Sequence, residues 1–135
     1  MVCLYCGAAT SVINSRPQKR LNHIWRRRQC EDCAAVFTTS EAPDLLKSLL
    51  LTDGSHTEAF SRDKLFLSLH DSLKHRQTAL SDATSLTDTI LSKLMPHVHD
   101  ASLDRKHIVA QSLEVLQRFD RAASVHYQAY HPLRA

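Results

Sequence analysis

Two Cys-x-x-Cys pairs, Cys3/Cys6 and Cys30/Cys33, constrain this chain more than anything else in it. Two thiols separated by two residues curl onto one ion, and two such pairs complete a tetrahedral set. The 23 residues between Cys6 and Cys30 fit two knuckles joined by a short antiparallel sheet, with Val12-Ile13 and His23-Ile24-Trp25 as its strands. The other readings of such cysteines are a redox dithiol and a structural disulfide. Met1-Val2 leads directly into Cys3, which leaves no basic and apolar leader and places the chain in the cytoplasm, where thiols stay reduced. The spacing therefore predicts a zinc ribbon over residues 1–40, with Cys3, Cys6, Cys30 and Cys33 closing around a structural Zn2+.

Charge is concentrated in the same segment. Residues 1–40 carry six Lys/Arg against two Asp/Glu, a balance of +4, whereas residues 41–135 carry eleven against twelve, a balance of −1. A zinc tetrathiolate has a formal charge of −2, so the position of each arginine matters more than the sum. In an extended strand Arg26 and Arg28 share one face and Arg27 points to the other. Arg16, Lys19 and Arg20 fall on the preceding segment, read as an exposed loop around Pro17. Guanidinium forks suit phosphate oxygens and guanine edges, so Arg16, Lys19, Arg20, Arg26, Arg27 and Arg28 are the candidate nucleic-acid contacts; the bland alternative is a solvated face.

Thr38-Thr39-Ser40-Glu41-Ala42-Pro43-Asp44 is polar, contains a proline and has no periodicity, which marks a linker, bounded at 41–46. Residues 47–135 then form a second domain. Leu49-Leu50-Leu51-Thr52 and Ser55–Phe60 flank Asp53-Gly54, a hairpin signal. Ser61 is placed to cap a helix whose stripe Leu65, Phe66, Leu69 and Leu73 runs to about Arg76. A second helix uses Leu86, Ile90, Leu91 and Leu94 and stops at Pro96, and a third uses Ile108, Val109, Leu113, Leu116 and Phe119. A short fourth segment spans residues 122–130. His97 and His99 alternate without a third ligand nearby and read as loop residues. The fold class is α+β: a small four-cysteine zinc ribbon followed by a mostly helical domain that opens with a β-hairpin. No apolar run approaches the roughly 18 residues of a membrane span.

Several stretches together carry a family resemblance. Cys3-Leu4-Tyr5-Cys6-Gly7, Val12-Ile13-Asn14-Ser15-Arg16, Arg26-Arg27-Arg28-Gln29-Cys30-Glu31-Asp32-Cys33 and Phe37-Thr38-Thr39 resemble the bacterial NrdR family of ribonucleotide reductase transcriptional repressors. Asp53-Gly54, Glu58–Leu65 and Ala123-Ser124-Val125 resemble that family's ATP-cone, a nucleotide-sensing domain. The resemblance implies a repressor whose ribbon binds double-stranded DNA upstream of reductase genes. Its cone would bind ATP or dATP as effectors and form a homo-oligomer through the second domain. It also implies a bacterial cytoplasmic protein, associated with the nucleoid when bound to DNA.

Onto this chain the resemblance carries Glu58, Lys64, His75 and Arg76 as nucleotide contacts. Where the family carries Lys-Arg before Asp-Gly, this chain has Leu51-Thr52, which removes two cations. No Ser/His/Asp arrangement or glycine-rich phosphate loop is present at plausible spacing, so the expectation is a sensor rather than an enzyme. Two alternatives remain: a DNA-binding ribbon with a degenerate cone used only for oligomerisation, and a zinc-ribbon adaptor for RNA or protein.

Overall fold

The computed structural model describes residues 1–133; the last two residues of the predicted second domain lie outside them. The chain divides into two compact units, Met1–Pro43 and Asp44–Ala135. The first holds a three-stranded antiparallel sheet in the order β1-β2-β3, with β1 Thr10–Gln18, β2 His23–Cys30 and β3 Val36–Glu41. Its core is small: Cys3, Cys30 and Phe37 are buried, with Ala8 packed against them and Tyr5 edge-on to Phe37. So little apolar burial does not hold 43 residues together, and the remaining stabilisation has to come from metal.

Two expectations for this unit are corrected. Arg16 and Pro17 are not in a loop: they continue β1, where Pro17 is tolerated because β1 is an edge strand. Thr38–Glu41, read as linker, is most of β3, and Arg27, Arg26, Trp25 and Ile24 pair with Thr38, Thr39, Ser40 and Glu41. Threonines suit an edge strand whose outer side meets water, so polarity alone does not mark a loop.

The second unit opens with a single helical turn, α1 Leu45–Ser48, capped by Asp44. The hairpin follows as β4 Leu50–Asp53 and β5 His56–Ala59. Asp53 pairs with His56, so the two-residue turn is Gly54-Ser55, one position later than the Asp-Gly reading. Gly54 takes φ +61°, a conformation that costs a residue with a Cβ and favours glycine at the first loop position. β6, Ser102–Asp104, joins β4 in parallel and gives the sheet order β5-β4-β6.

Helices α2 Arg62–Ser72, α3 Ala79–Leu94, α4 Arg105–Phe119 and α5 Arg121–Tyr130 complete the unit. Ser61 accepts from the Lys64 N–H as expected of a cap, while α2 ends at Ser72, short of Arg76. Pro96 lies in a 3-10 turn directly after α3. The stripes meet in one core: Leu69, Leu73, Ile90, Leu94, Leu103 and Leu116 are fully buried together with Phe60 and Tyr127. Each such side chain contributes about 1.5–3 kcal/mol of burial free energy. Phe119 departs from its predicted stripe. It is 41% exposed and lies under the Arg76 guanidinium, 4.8 Å from the ring centre.

Candidate functional site

The two knuckles are built alike. Cys3 N–H donates to Ala8 O at 2.7 Å and Cys30 N–H to Ala35 O at 2.9 Å, closing equivalent turns. Each turn needs a left-handed residue directly after its second cysteine, supplied by Gly7 at φ +79° and by Ala34 at φ +58°. Backbone N–H groups point at the sulfurs: Tyr5 donates to Cys3 Sγ, and Asp32 and Cys33 donate to Cys30 Sγ, all at 3.4 Å.

All four sulfurs lie within 4.8 Å of one another, with Cys3–Cys33 at 3.8 Å and Cys6–Cys30 at 3.4 Å. Four thiolates about 2.3 Å from a tetrahedral zinc stand about 3.8 Å apart, so the set fits the ion. These separations exceed a disulfide bond of about 2.05 Å. The ionisation of the thiols points the same way. Loss of water raises Cys30, but the Asp32 and Cys33 N–H groups and the neighbouring thiols bring it down to about 7. The Ala35 N–H lowers Cys33, yet Cys30, desolvation and the other two thiols push it up to about 12. One thiolate forms readily and resists the next, a conflict that a dication removes.

The register of the sheet sorts the cations. Arg16 lies opposite Trp25, and Asn14 and Thr38 lie opposite Arg27, so Arg16, Trp25 and Arg27 share a face. An irregularity at Ile13 puts Val12 opposite Arg28 and Ser15 opposite Arg26, on the other face. There the arginines have internal partners. Arg26 is ion-paired with Glu41, and Arg28 donates to Thr39 Oγ1 at 3.3 Å and Thr10 Oγ1 at 3.4 Å. Among the described residues Arg27 has only a 3.5 Å contact to Thr38 Oγ1, and Arg16, Lys19 and Arg20 are exposed. The turn between β1 and β2 carries Lys19 and Arg20.

In the second unit a cavity of about 190 Å3 lies between the hairpin and the helices, with Leu51, Glu58, Lys64, Arg105, Tyr127 and His131 in its walls. A neighbouring cavity of about 150 Å3 shares Arg105 and Val109 with it. A wider cleft of about 650 Å3 between α2 and α5 shares Lys64, Ser68 and His131. The structure thus brings Glu58 and Lys64 together, 3.1 Å apart. It places His75 and Arg76 elsewhere, after α2, bound to acids: His75 Nε2 lies 2.9 Å and Arg76 Nη1 3.1 Å from Asp120 Oδ2, and Arg76 Nε lies 2.8 Å from Asp82. Neither residue lines the three cavities. Sequence reasoning missed Arg105 and His131. The one signal for Arg105 was Asp104 ahead of it, a cap that accepts from Lys106 N–H at 2.8 Å.

A pair of knuckles holding four cysteines on a three-stranded sheet, followed by a hairpin and helices, defines a zinc-ribbon protein with a helical second unit. The family model for the N-terminal domain of transcriptional repressor NrdR-like proteins matches residues 1–41. Transcriptional repressor NrdR of Neorickettsia sennetsu is 30% identical over 128 residues, covering 94% of this chain and 85% of the relative. The proteins of the same name from Sphingopyxis alaskensis and Sinorhizobium medicae are 33% and 32% identical over 94% of this chain, covering 82% and 81% of their own lengths. The chain belongs to the NrdR family of transcriptional repressors, as its sequence resemblance implied.

Proposed function

We propose that this chain represses ribonucleotide reductase genes by binding duplex operator DNA through the ribbon, with assembly and operator binding controlled by ATP and dATP in the second unit. The observation that carries the DNA half is the face shared by Arg16, Trp25 and Arg27. Arg16 and Arg27 are free there to meet phosphate oxygens or guanine edges, and Lys19 and Arg20 extend the contact from the adjoining turn. Arg26 and Arg28 hold β2 to its neighbours and add positive potential. One ribbon reaches only a few phosphates, and affinity rises with their number, so operator binding requires several protomers in register. A homo-oligomer formed through the second unit supplies them. The site of action is the bacterial cytoplasm, at the nucleoid.

The nucleotide half rests on the cavities at Lys64. Glu58 and Lys64, the contacts that the resemblance implies, line the 190 Å3 cavity, and the adjoining 650 Å3 cleft, which Lys64 also lines, has the size of an ordinary small-molecule site. Its competitor is a cone used for assembly alone, favoured by Leu51 and Thr52, which bring no cation to the hairpin. Calorimetric titration of the zinc-loaded protein with ATP and dATP, with particle size followed by light scattering, separates the two. Binding with a change of size supports sensing; no binding by folded, metallated protein refutes it.

A further inference from the structure

Both cations at the cavity mouth are held by carboxylates of the hairpin. Glu58 on β5 takes Lys64 at 3.1 Å, and Asp53 at the end of β4 takes Arg105 Nη1 at 3.2 Å. Each cation lines two cavities: Lys64 stands in the walls of the 190 Å3 cavity and the 650 Å3 cleft, and Arg105 in those of the 190 and 150 Å3 cavities, with Lys106 beside it in the last. The strand facing the cavity offers nothing comparable. Leu51 gives it an apolar wall, and Thr52 turns its hydroxyl to Leu103 O at 3.4 Å. His131 does not compensate, since burial, Arg105 and His126 all hold its imidazole below the ordinary range and favour the neutral ring.

Building on the adenine-nucleotide reading above, we infer that Arg105 is the principal phosphate-binding residue of this cavity, and that a bound polyphosphate takes the place of Asp53 on its guanidinium. The Arg105–Asp53 pair is half exposed at both ends, 51% and 53%, and such pairs are weakly held. A polyphosphate brings more charge than one carboxylate and accepts paired, charge-assisted bonds from the guanidinium fork. One of the two cations absent at Leu51-Thr52 is thereby supplied from the first residue of α4, far along the chain and tied to the hairpin by Asp53.

The test is calorimetric titration of the full, zinc-loaded chain with ATP, dATP and inorganic tripolyphosphate. Arg105→Gln weakens all three by roughly tenfold to a hundredfold, and Arg105→Lys, which keeps charge but loses the fork, falls between. Asp53→Asn frees Arg105 and tightens binding about two- to fivefold. Arg118→Gln removes the same charge from the last turn of α4, where Arg118 pairs with Glu114, and leaves binding unchanged. Gain from Asp53→Asn beside loss from Arg105→Gln is a pattern that a purely structural ion pair cannot give, since both changes would then weaken binding. If the unaltered chain binds nucleotide and Arg105→Gln binds equally well, this inference falls and nucleotide sensing stands. If the unaltered chain binds neither ATP nor dATP, both fall together.

Discussion

Replacing Asp120 by Asn removes a charge from the centre of the second unit's polar clamp while keeping its cap. Asp120 caps the start of α5, accepts from Ala123 N–H at 3.0 Å through Oδ1, and receives His75 and Arg76 on Oδ2. The Ala123 N–H, then His75 and Arg76, hold its carboxyl at about 2 despite partial desolvation. Against an unfolded value of about 3.9, that depression contributes up to about 2.6 kcal/mol at neutral pH. His75 and Arg76 are 47% and 35% exposed, so solvent screening reduces the expected value to about 1.5 kcal/mol. Because the folded pKa is depressed, the contribution is complete above about pH 4 and disappears as pH falls through about 2. Asn retains the cap, whereas Asp120→Ala costs about 1 kcal/mol more.

Urea unfolding followed by helical circular dichroism measures this directly, since every described helix belongs to the second unit. The expected result is a loss of about 1.5 kcal/mol for Asp120→Asn at pH 7 that narrows steadily below pH 4. Equal stability at pH 7, or a deficit that persists undiminished near pH 2, refutes the reasoning. The clamp bears on the proposed nucleotide site because α5, fixed at its start by Asp120, carries Tyr127 and leads to His131 in the cavity wall.

The ribbon supports three further expectations. Ala34→Gly relieves a left-handed alanine and stabilises the metal site by about 1 kcal/mol, seen as slower zinc loss to a chelator; an unchanged rate counts against the strain. Arg27→Ala lowers operator affinity by about 1–3 kcal/mol, or reduces the salt slope by about one if it meets phosphate, whereas Arg26→Ala acts less on affinity and more on ribbon stability. Fluorescence anisotropy across a salt series reads both, and equal losses would remove the distinction between the two faces. Stripping zinc with a chelator abolishes DNA binding and leaves the helical signal in place, because the second unit has its own core; loss of helicity would contradict two independent units.

How much of this was legible in the sequence depended on the range of each interaction. The cysteine pairs, the Ser61 cap and the Leu86/Ile90/Leu94 stripe are short-range signals, and each sits where its spacing implied. β6 is short and exists because β4, much earlier in the chain, offers it an edge. β3 was masked by threonines whose polarity reads as linker, and Arg16 by a proline that an edge strand tolerates. Alternation placed Arg27 opposite in sense to Arg26 and Arg28. Which face was free depended on Glu41, Thr39 and Thr10, partners that only the sheet register brings near. His75 and Arg76 read as a free basic pair because Asp82 and Asp120 reach them only in the fold, and Arg105 is hard to see in the sequence because its partner Asp53 comes from the hairpin.

The proposed function, an oligomer of zinc ribbons reading an operator under nucleotide control, is tested most directly by anisotropy of the zinc-loaded protein on two duplexes. One comes from upstream of a ribonucleotide reductase gene and the other is its scrambled counterpart, each measured in ATP and in dATP at two salt concentrations. The expected result is preference for the operator, weakening with salt, and a different affinity in the two nucleotides. Equal affinity for both duplexes, unmoved by either nucleotide, would contradict it.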